Sequence, residues 1–76
     1  MAESVLDQVR QMLADLLERP LDDISAESAP SNLDGWDSLV HLNLVLAVEQ
    51  RFGVFLEPED AEPTVGGMAE RIRTKR

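Results

Sequence analysis

The chain has no cysteine, no tyrosine, one tryptophan and two phenylalanines among its 76 residues. Without cysteine, a disulfide framework, a thiolate zinc site and thiol redox chemistry are excluded. Apolar residues make up 43% of the sequence and aromatic residues only 4%, so the predicted core is aliphatic. A chain of this length buries only about 60% of its unfolded surface. We therefore expect one domain, residues 1–76, without an enclosed enzyme active site.

Long apolar runs are also missing. No run approaches the roughly 20 residues that span a membrane. The first ten residues, MAESVLDQVR, lack the basic and continuous apolar regions of a secretory signal. We therefore expect a cytoplasmic protein that does not bind membranes.

Negative charge dominates the sequence. The net charge is −8, and four of the seven basic residues lie in RIRTKR, residues 71–76. The acidic remainder repels nucleic-acid phosphates and anionic lipid, so no nucleic-acid partner is expected and basic protein surfaces are favoured. Residues 71–76 are interpreted as a basic C-terminal tail or a solvated helix end.

Helical patterns begin and end the chain. From Ser4 to Arg19 the apolar residues recur at spacings of three and four, which is typical of an amphipathic helix, and Pro20 is predicted to end it. Residues 58–63 leave room for one helical turn between two prolines. Thr64 is predicted to cap a last helix. The inner face of that helix is predicted to hold Val65, Met68, Ala69 and Ile72.

Residues 20–37 form one long predicted loop, rich in Pro, Asp and Ser. Its isolated apolar anchors are Leu21, Ile24 and Leu33. A structureless connection of this length is unusual in a small domain and tends to be functional.

The segment from Ser38 to Phe52 is apolar on every face of a helix. Such a helix is either buried all round or presents apolar surface to a partner, and we expect it to be the central helix. Burial of Leu42, Leu46 and Phe52 is expected to stabilise the fold by about 1.5 to 3 kcal/mol each.

Asp37 and Ser38, directly before this helix, are both good N-cap residues. Trp36 fits a hydrophobic staple and Gly35 permits the turn. A catalytic serine is not supported, because the only histidine, His41, follows three residues later and no G-x-S-x-G frame is present. A calcium loop aligned on Gly35 would need ligands at two unsuitable positions. No catalytic residue and no metal site is predicted.

The combination of these features resembles the acyl carrier protein family. The DSL of residues 37–39 lies where that family carries its attachment motif, after a long first loop and at the start of the second helix. The end of that helix shows the family's E-x-x-F-G-V, and ISAES and PTVGGMAERI match its first loop and last helix. The resemblance runs from about Val5 to Ile72.

This resemblance implies an all-α fold, a small four-helix bundle with three main helices and one short helix. It implies a carrier rather than an enzyme, with a 4'-phosphopantetheine arm transferred from coenzyme A onto Ser38. The terminal thiol of the arm carries acyl groups as thioesters, so a chain without cysteine imports its thiol. Asp37 would assist magnesium and recognition during the modification.

The implied partners are a phosphopantetheinyl transferase and acyl-loading and acyl-transferring biosynthetic enzymes, acting on a monomeric carrier. The predicted partner-binding residues are Trp36, Leu39, Val40 and Asn43. An acyl-chain pocket is predicted between helices that could part, and it would be lined by Leu42, Val45, Leu46 and Met68.

One departure from the family concerns charge. Carriers of primary fatty-acid synthesis present several acids along the exposed side of the second helix. The exposed candidates here form a nearly neutral face: Val40, His41, Asn43, Glu49, Gln50 and Arg51. We therefore predict a dedicated partner set in a specialised fatty-acid, polyketide or related pathway. The alternatives are an aminoacyl or peptidyl carrier, and an interaction module in which Ser38 is only a cap.

Overall fold

A computed structural model of the chain describes residues 4–57 and 62–75 and contains three α-helices. Helix α1 spans Val5–Leu17, α2 spans Ser38–Phe52 and α3 spans Val65–Lys75, and a 3-10 turn occupies Leu21–Asp23. No strand occurs in the described ranges, so the all-α prediction is confirmed. The one-turn helix expected within residues 58–63 falls largely outside the described residues.

Helix α1 is capped at both ends. Ser4 Oγ accepts a hydrogen bond from the Asp7 N–H at 3.1 Å. Glu18 adopts a left-handed conformation, with φ of 55°, and its N–H bonds back to the carbonyls of residues 14 and 15. The helix therefore ends at Leu17, earlier than predicted, because a C-cap turns the chain before Pro20 is reached.

Helix α1 is the central element. It packs against both α2 and α3, so the central place that we expected for α2 belongs to α1. The buried apolar cluster draws on all three helices and on the first loop, and it is aliphatic except for one tryptophan. Its members are Val9, Leu13, Ala14, Ile24, Trp36, Leu44, Val48, Val65, Met68 and Ile72.

Helix α2 has the predicted bounds but buries only one side. Leu44 and Val48 are fully buried, whereas Leu39, Leu42 and Leu46 are 66%, 55% and 47% exposed. Of the two alternatives for α2, the structure fits a helix that presents apolar surface and not one that is buried all round. The expected burial of Leu42 and Leu46 is wrong. The reason is size, because a domain with three helices has no further layer to cover the outer side of α2.

The first loop is held in place by a side chain of α1. Arg10 donates from Nε to the Ile24 carbonyl at 2.7 Å and from Nη2 to the Leu21 carbonyl at 3.2 Å. Ile24 is 1% exposed, and Leu21 and Leu33 pack against the core, as predicted. Hydrogen bonds and core packing therefore hold the loop in one place between α1 and the start of α2. The loop also contains a 3-10 turn that we did not predict.

The start of α3 lies tightly against this loop. The Gly66 N–H donates to the Ala26 carbonyl at 2.8 Å, and the Val65 N–H donates to the Ser28 carbonyl at 3.0 Å. A Cβ on Gly66 would lie 3.0 Å from the Ala26 oxygen, closer than a side chain normally packs. The predicted cap is confirmed, since Thr64 Oγ1 accepts from the Gly67 N–H at 3.0 Å.

The basic segment at the end of the chain belongs to α3 as far as Lys75. Ile72 is fully buried, and the guanidinium of Arg71 pairs with Glu62 at 3.0 Å. Of the two interpretations of residues 71–76, the helix end therefore fits the described residues. None of the described helices has the length and apolar character that crossing a membrane requires.

Candidate functional site

The chain turns sharply before α2. Gly35 has φ of 92°, a left-handed conformation that residues with a side chain adopt at a cost. The Trp36 N–H donates to the Leu33 carbonyl at 3.4 Å, and the Asp37 N–H donates to the Gly35 carbonyl at 3.1 Å. These bonds set the direction in which α2 begins.

Asp37 is the N-cap of α2. Its Oδ1 accepts a hydrogen bond from the Val40 N–H at 2.9 Å, and its backbone is extended. Ser38 is therefore the first helical residue. Its side chain is exposed, and within the described part of the chain its hydroxyl makes no hydrogen bond. The structure thus assigns the capping role to the aspartate and leaves the serine hydroxyl available to solvent.

The electrostatic setting of Ser38 favours an anionic substituent. The first N–H groups of an α-helix have no acceptor within the helix, and the helix dipole places positive partial charge at this end. A phosphodiester on the Ser38 hydroxyl would lie beside these groups, which is a favourable place for a phosphate. The Asp37 carboxylate stands next to the same position and is already engaged by the Val40 N–H.

Trp36 is a core residue. It is only 4% exposed, so the structure does not fit the surface contact with partners that we expected of it. Its ring stacks with that of His41, with centroids 6.0 Å apart and planes at 26°. Trp36 directly precedes the N-cap and His41 is the fourth helical residue, which is the pairing of a hydrophobic staple. The staple is confirmed, and its partner is the histidine, which the sequence analysis had placed on the exposed face.

A cavity of about 520 Å³ opens beside the serine. It is lined by residues of the first loop, of the start of α2 and of the segment before α3: Pro30, Trp36, Asp37, Ser38, His41, Glu62 and Pro63. The sequence analysis did not find this cavity. The signal that could have pointed to it is the pair of ring residues on either side of the serine.

The other predicted site residues fall in different environments. Leu39 and Asn43 are exposed and Val40 is half-buried, so these three can contact a partner. The four predicted pocket residues do not share one environment. Leu42 and Leu46 lie on the surface, Val45 is half-buried and Met68 is 3% exposed in the core.

The exposed side of α2 differs from the face that we predicted. Val40, His41 and Glu49 are half-buried, and Glu49 Oε2 accepts from the Leu56 N–H at 2.9 Å. The outward residues are instead mostly apolar and uncharged. They are Leu39, Leu42, Asn43, Leu46 and Gln50. The one charged residue exposed on α2 is Arg51, which donates from Nη1 to Gln8 Oε1 at 3.4 Å.

Comparison with known proteins identifies the protein family to which this sequence is similar. Residues 7–72 match a family described as "Phosphopantetheine attachment site". The chain is therefore a domain that carries 4'-phosphopantetheine as a covalent cofactor.

Two relatives narrow the class. An acyl carrier protein of Exiguobacterium sp. is 35% identical over 75 residues, which cover 96% of this chain and 95% of the relative. Acyl carrier protein 3 of Ralstonia nicotianae is 37% identical over 69 residues, covering 91% of this chain and 78% of the relative. The chain belongs to the acyl carrier protein family. It is a carrier rather than an enzyme, and membership implies work with a phosphopantetheinyl transferase and with biosynthetic enzymes.

Proposed function

We propose that Ser38 is the residue to which the phosphopantetheine arm is attached. The observation that carries this proposal is the division of roles at the start of α2, where Asp37 Oδ1 takes the capping bond at 2.9 Å. Ser38 Oγ is exposed and has no hydrogen bond within the described residues. Its modification therefore costs no bond that holds the helix.

The start of α2 fits the group. The phosphodiester would be held at the helix N-terminus, and the adjacent cavity offers room for the neutral part of the arm. When bound, the arm supplies the thiol that the chain lacks and on which acyl groups are carried as thioesters. The chain's own contributions are the Ser38 hydroxyl and the Asp37 carboxylate, for which we propose a role in magnesium binding and recognition during modification.

The proposal is tested by incubating the purified protein with coenzyme A, magnesium and a phosphopantetheinyl transferase. We expect a mass gain of one phosphopantetheine, and fragmentation should place it on Ser38. A gain on Ser25, Ser28 or Ser31 would contradict the assignment. Absence of any gain, with a transferase that modifies a control carrier, would favour an interaction module.

We further propose that the chain serves a specialised pathway as a monomeric carrier with dedicated partners. The support is the outward side of α2, where Leu39, Leu42 and Leu46 are exposed. The exposed polar residues that follow Ser38 on this helix are the uncharged Asn43 and Gln50 and the basic Arg51, so no acid is exposed on α2. Charged rims mainly set encounter rate and partner choice. A mostly apolar face without an exposed acid therefore matches a partner whose docking surface is apolar rather than strongly basic.

This second proposal is tested with a fatty-acid ketosynthase and its own carrier as reference. We expect poor turnover with this carrier and recovery in a variant that adds two acids to the exposed face, Asn43→Glu with Gln50→Glu. A matched control, Gln11→Glu on α1 with Thr74→Glu on α3, adds the same two negative charges at exposed positions away from this face and should leave turnover low. Turnover equal to the reference carrier would contradict the proposal.

Within the bundle, we propose Val45 and Met68 as the residues that a sequestered acyl chain would contact.

A further inference from the structure

Residues 33–36 form the turn before α2. The Trp36 N–H donates to the Leu33 carbonyl at 3.4 Å, and Gly35, at the third place of the turn, has φ of 92°. A positive φ at this place is typical of a type II turn. Type I and type II turns differ in the orientation of the peptide group between their two central residues, and here that group carries the Asp34 carbonyl. The direction in which this carbonyl points therefore distinguishes the two types.

A side chain from the end of α1 binds this carbonyl. Arg19 Nη2 donates to the Asp34 oxygen at 3.3 Å, and Nη1 of the same guanidinium lies 3.6 Å from Asp23 Oδ2. A guanidinium is planar and can donate in two directions at once, so Arg19 joins the beginning of the first loop to the turn at its end. The bond to the Asp34 oxygen favours one orientation of the central peptide of the turn.

The end of α1 allows this contact. Glu18 has φ of 55°, which is uncommon for a residue with a side chain, and the Arg19 N–H donates to the Ala14 carbonyl at 3.0 Å. This left-handed step ends the helix and turns the chain toward the loop. Leu17 Cδ2 would lie 3.5 Å from a Cβ at Gly35, so the turn also packs against α1. Helix α1 and the residue after its cap therefore hold the turn by packing and by a hydrogen bond.

The turn lies close to Ser38, with two residues between Gly35 and the serine. The Asp37 N–H donates to the Gly35 carbonyl at 3.1 Å, and Asp37 is the N-cap of α2. A flip of the central peptide would change the direction in which the chain leaves the turn, so the cap and the serine would move relative to α1. The bond from Arg19 therefore influences where Ser38 lies.

We propose that Arg19 is a positioning residue for attachment of the arm, because it holds the turn of residues 33–36 in the form that presents Ser38 to the phosphopantetheinyl transferase. This inference rests on the proposed attachment at Ser38. Without Arg19, the free carrier exchanges between two forms of the turn, of which the transferase binds one. The KM for the carrier then rises in inverse proportion to the competent fraction, whereas kcat at saturation stays the same.

The test measures transfer of the arm from coenzyme A, with magnesium and a phosphopantetheinyl transferase, to the wild type, Arg19→Met and Arg73→Met. Methionine keeps a long side chain without donors. Arg73 is exposed on α3 and pairs with Glu70 at 3.5 Å, so its replacement removes the same charge elsewhere. We expect Arg19→Met to raise the KM for the carrier about two- to tenfold, which corresponds to the net worth of one hydrogen bond. The kcat and the KM for coenzyme A should not change, and Arg73→Met should behave like the wild type.

NMR of the unloaded protein separates positioning from direct contact between Arg19 and the transferase. If Arg19 acts through the turn, the backbone amide signals of Gly35 and Trp36 should shift or broaden in Arg19→Met without any partner present. A raised KM with unchanged amide signals would mean that Arg19 contacts the transferase itself, and this would contradict the proposal.

A second substitution restores the turn by another route. Proline is favoured at the second place of a type II turn that has glycine at the third, and within the described ranges the Asp34 N–H makes no hydrogen bond that proline would remove. Adding Asp34→Pro to Arg19→Met should therefore return the KM for the carrier toward the wild-type value. Adding Asp34→Ala removes the same carboxylate without favouring the turn and should leave the KM high.

The outcomes separate this proposal from the attachment itself. If the wild-type protein gains no arm, attachment at Ser38 is contradicted. If the wild type gains the arm and Arg19→Met has an unchanged KM, the positioning role alone is contradicted, and equal KM values for the proline and alanine double variants contradict it as well. Should the proline variant fail to fold, the kinetics and amide signals of Arg19→Met still decide the question.

Discussion

Ser4 and Ser38 both stand at the start of a helix, yet they do different things. Ser4 Oγ accepts from the Asp7 N–H and so closes α1. At α2 the same bond is made by Asp37, one residue earlier than Ser38. The first serine is used by the fold and the second is not. A polar residue at a helix start is therefore structural or available according to which neighbour takes the cap.

The start of α3 extends the comparison. It is capped by Thr64 and covered by the first loop, which accepts the N–H groups of Val65 and Gly66. The start of α2 has no such cover, since Asp37, Ser38 and Leu39 are all exposed. Of these two helix starts, only the open one can receive a substituent without displacing a part of the fold.

The largest expected effect comes from exchanging the two serines separately for alanine. Ser38→Ala should abolish the gain of the arm and leave stability nearly unchanged, because the Asp37 cap remains. Ser4→Ala should gain the arm fully but lose about 1 kcal/mol of unfolding free energy, the usual cost of a lost cap. Mass spectrometry and urea unfolding measure the two properties. If the Ser38→Ala protein still gained the arm, Ser38 would not be the attachment residue and the contrast with Ser4 would not hold.

Helix α2 also contains both residues that hold the fold together and residues that are exposed and can contact a partner. Leu44→Ala should cost about 2–5 kcal/mol, since Leu44 is fully buried. Leu42→Ala, at a residue that is 55% exposed, should change stability by no more than about 0.5 kcal/mol. Urea midpoints at constant slope give both values. Similar losses for the two variants would show that the outer side of α2 is covered.

Because the first loop covers the start of α3, we expect replacement of Gly66 to destabilise the protein. Alanine is favoured over glycine in a helix by about 1 kcal/mol, but a Cβ on Gly66 would lie 3.0 Å from the Ala26 oxygen. We expect Gly66→Ala to destabilise the protein by about 1–3 kcal/mol through overpacking.

The control for this prediction removes the neighbouring side chain. The same Cβ would lie 3.2 Å from the Ala26 Cβ, so adding Ala26→Gly should recover part of the loss in a double-mutant cycle. A Gly66→Ala protein that melts higher than the wild type would show that the loop does not press on α3.

The smallest expected effect separates the two roles given to Asp37. Asp37→Asn keeps a side chain that caps well, so stability should stay within a few tenths of a kcal/mol, whereas Asp37→Ala should lose about 1 kcal/mol. If the carboxylate also assists recognition and magnesium, both variants should accept the arm more slowly. Initial rates of transfer that fall only for Asp37→Ala would assign the residue to capping alone.

Local rules explain what could be predicted about these regions. The bounds of α2, the cap at Thr64 and the inner face of α3 were confirmed. Each depends on residues within one or two turns of one another. The family resemblance added the carrier class, which the matched residues 7–72 support. The choice between Asp37 and Ser38 as the cap stayed open, because both residue types cap equally well.

What the sequence determined by itself is therefore the three main helices, the aliphatic core and the presence of a serine at the start of an apolar helix. Only the tertiary structure decided which side of α2 faces α1, because a helix that is apolar all round has no pattern that selects its buried side. Packing alone buried Trp36 in the core, left Leu42 and Leu46 exposed, and pressed Ala26 onto Gly66. These contacts join residues from separate elements, and their distances depend on how α1 holds the loop and the other two helices together.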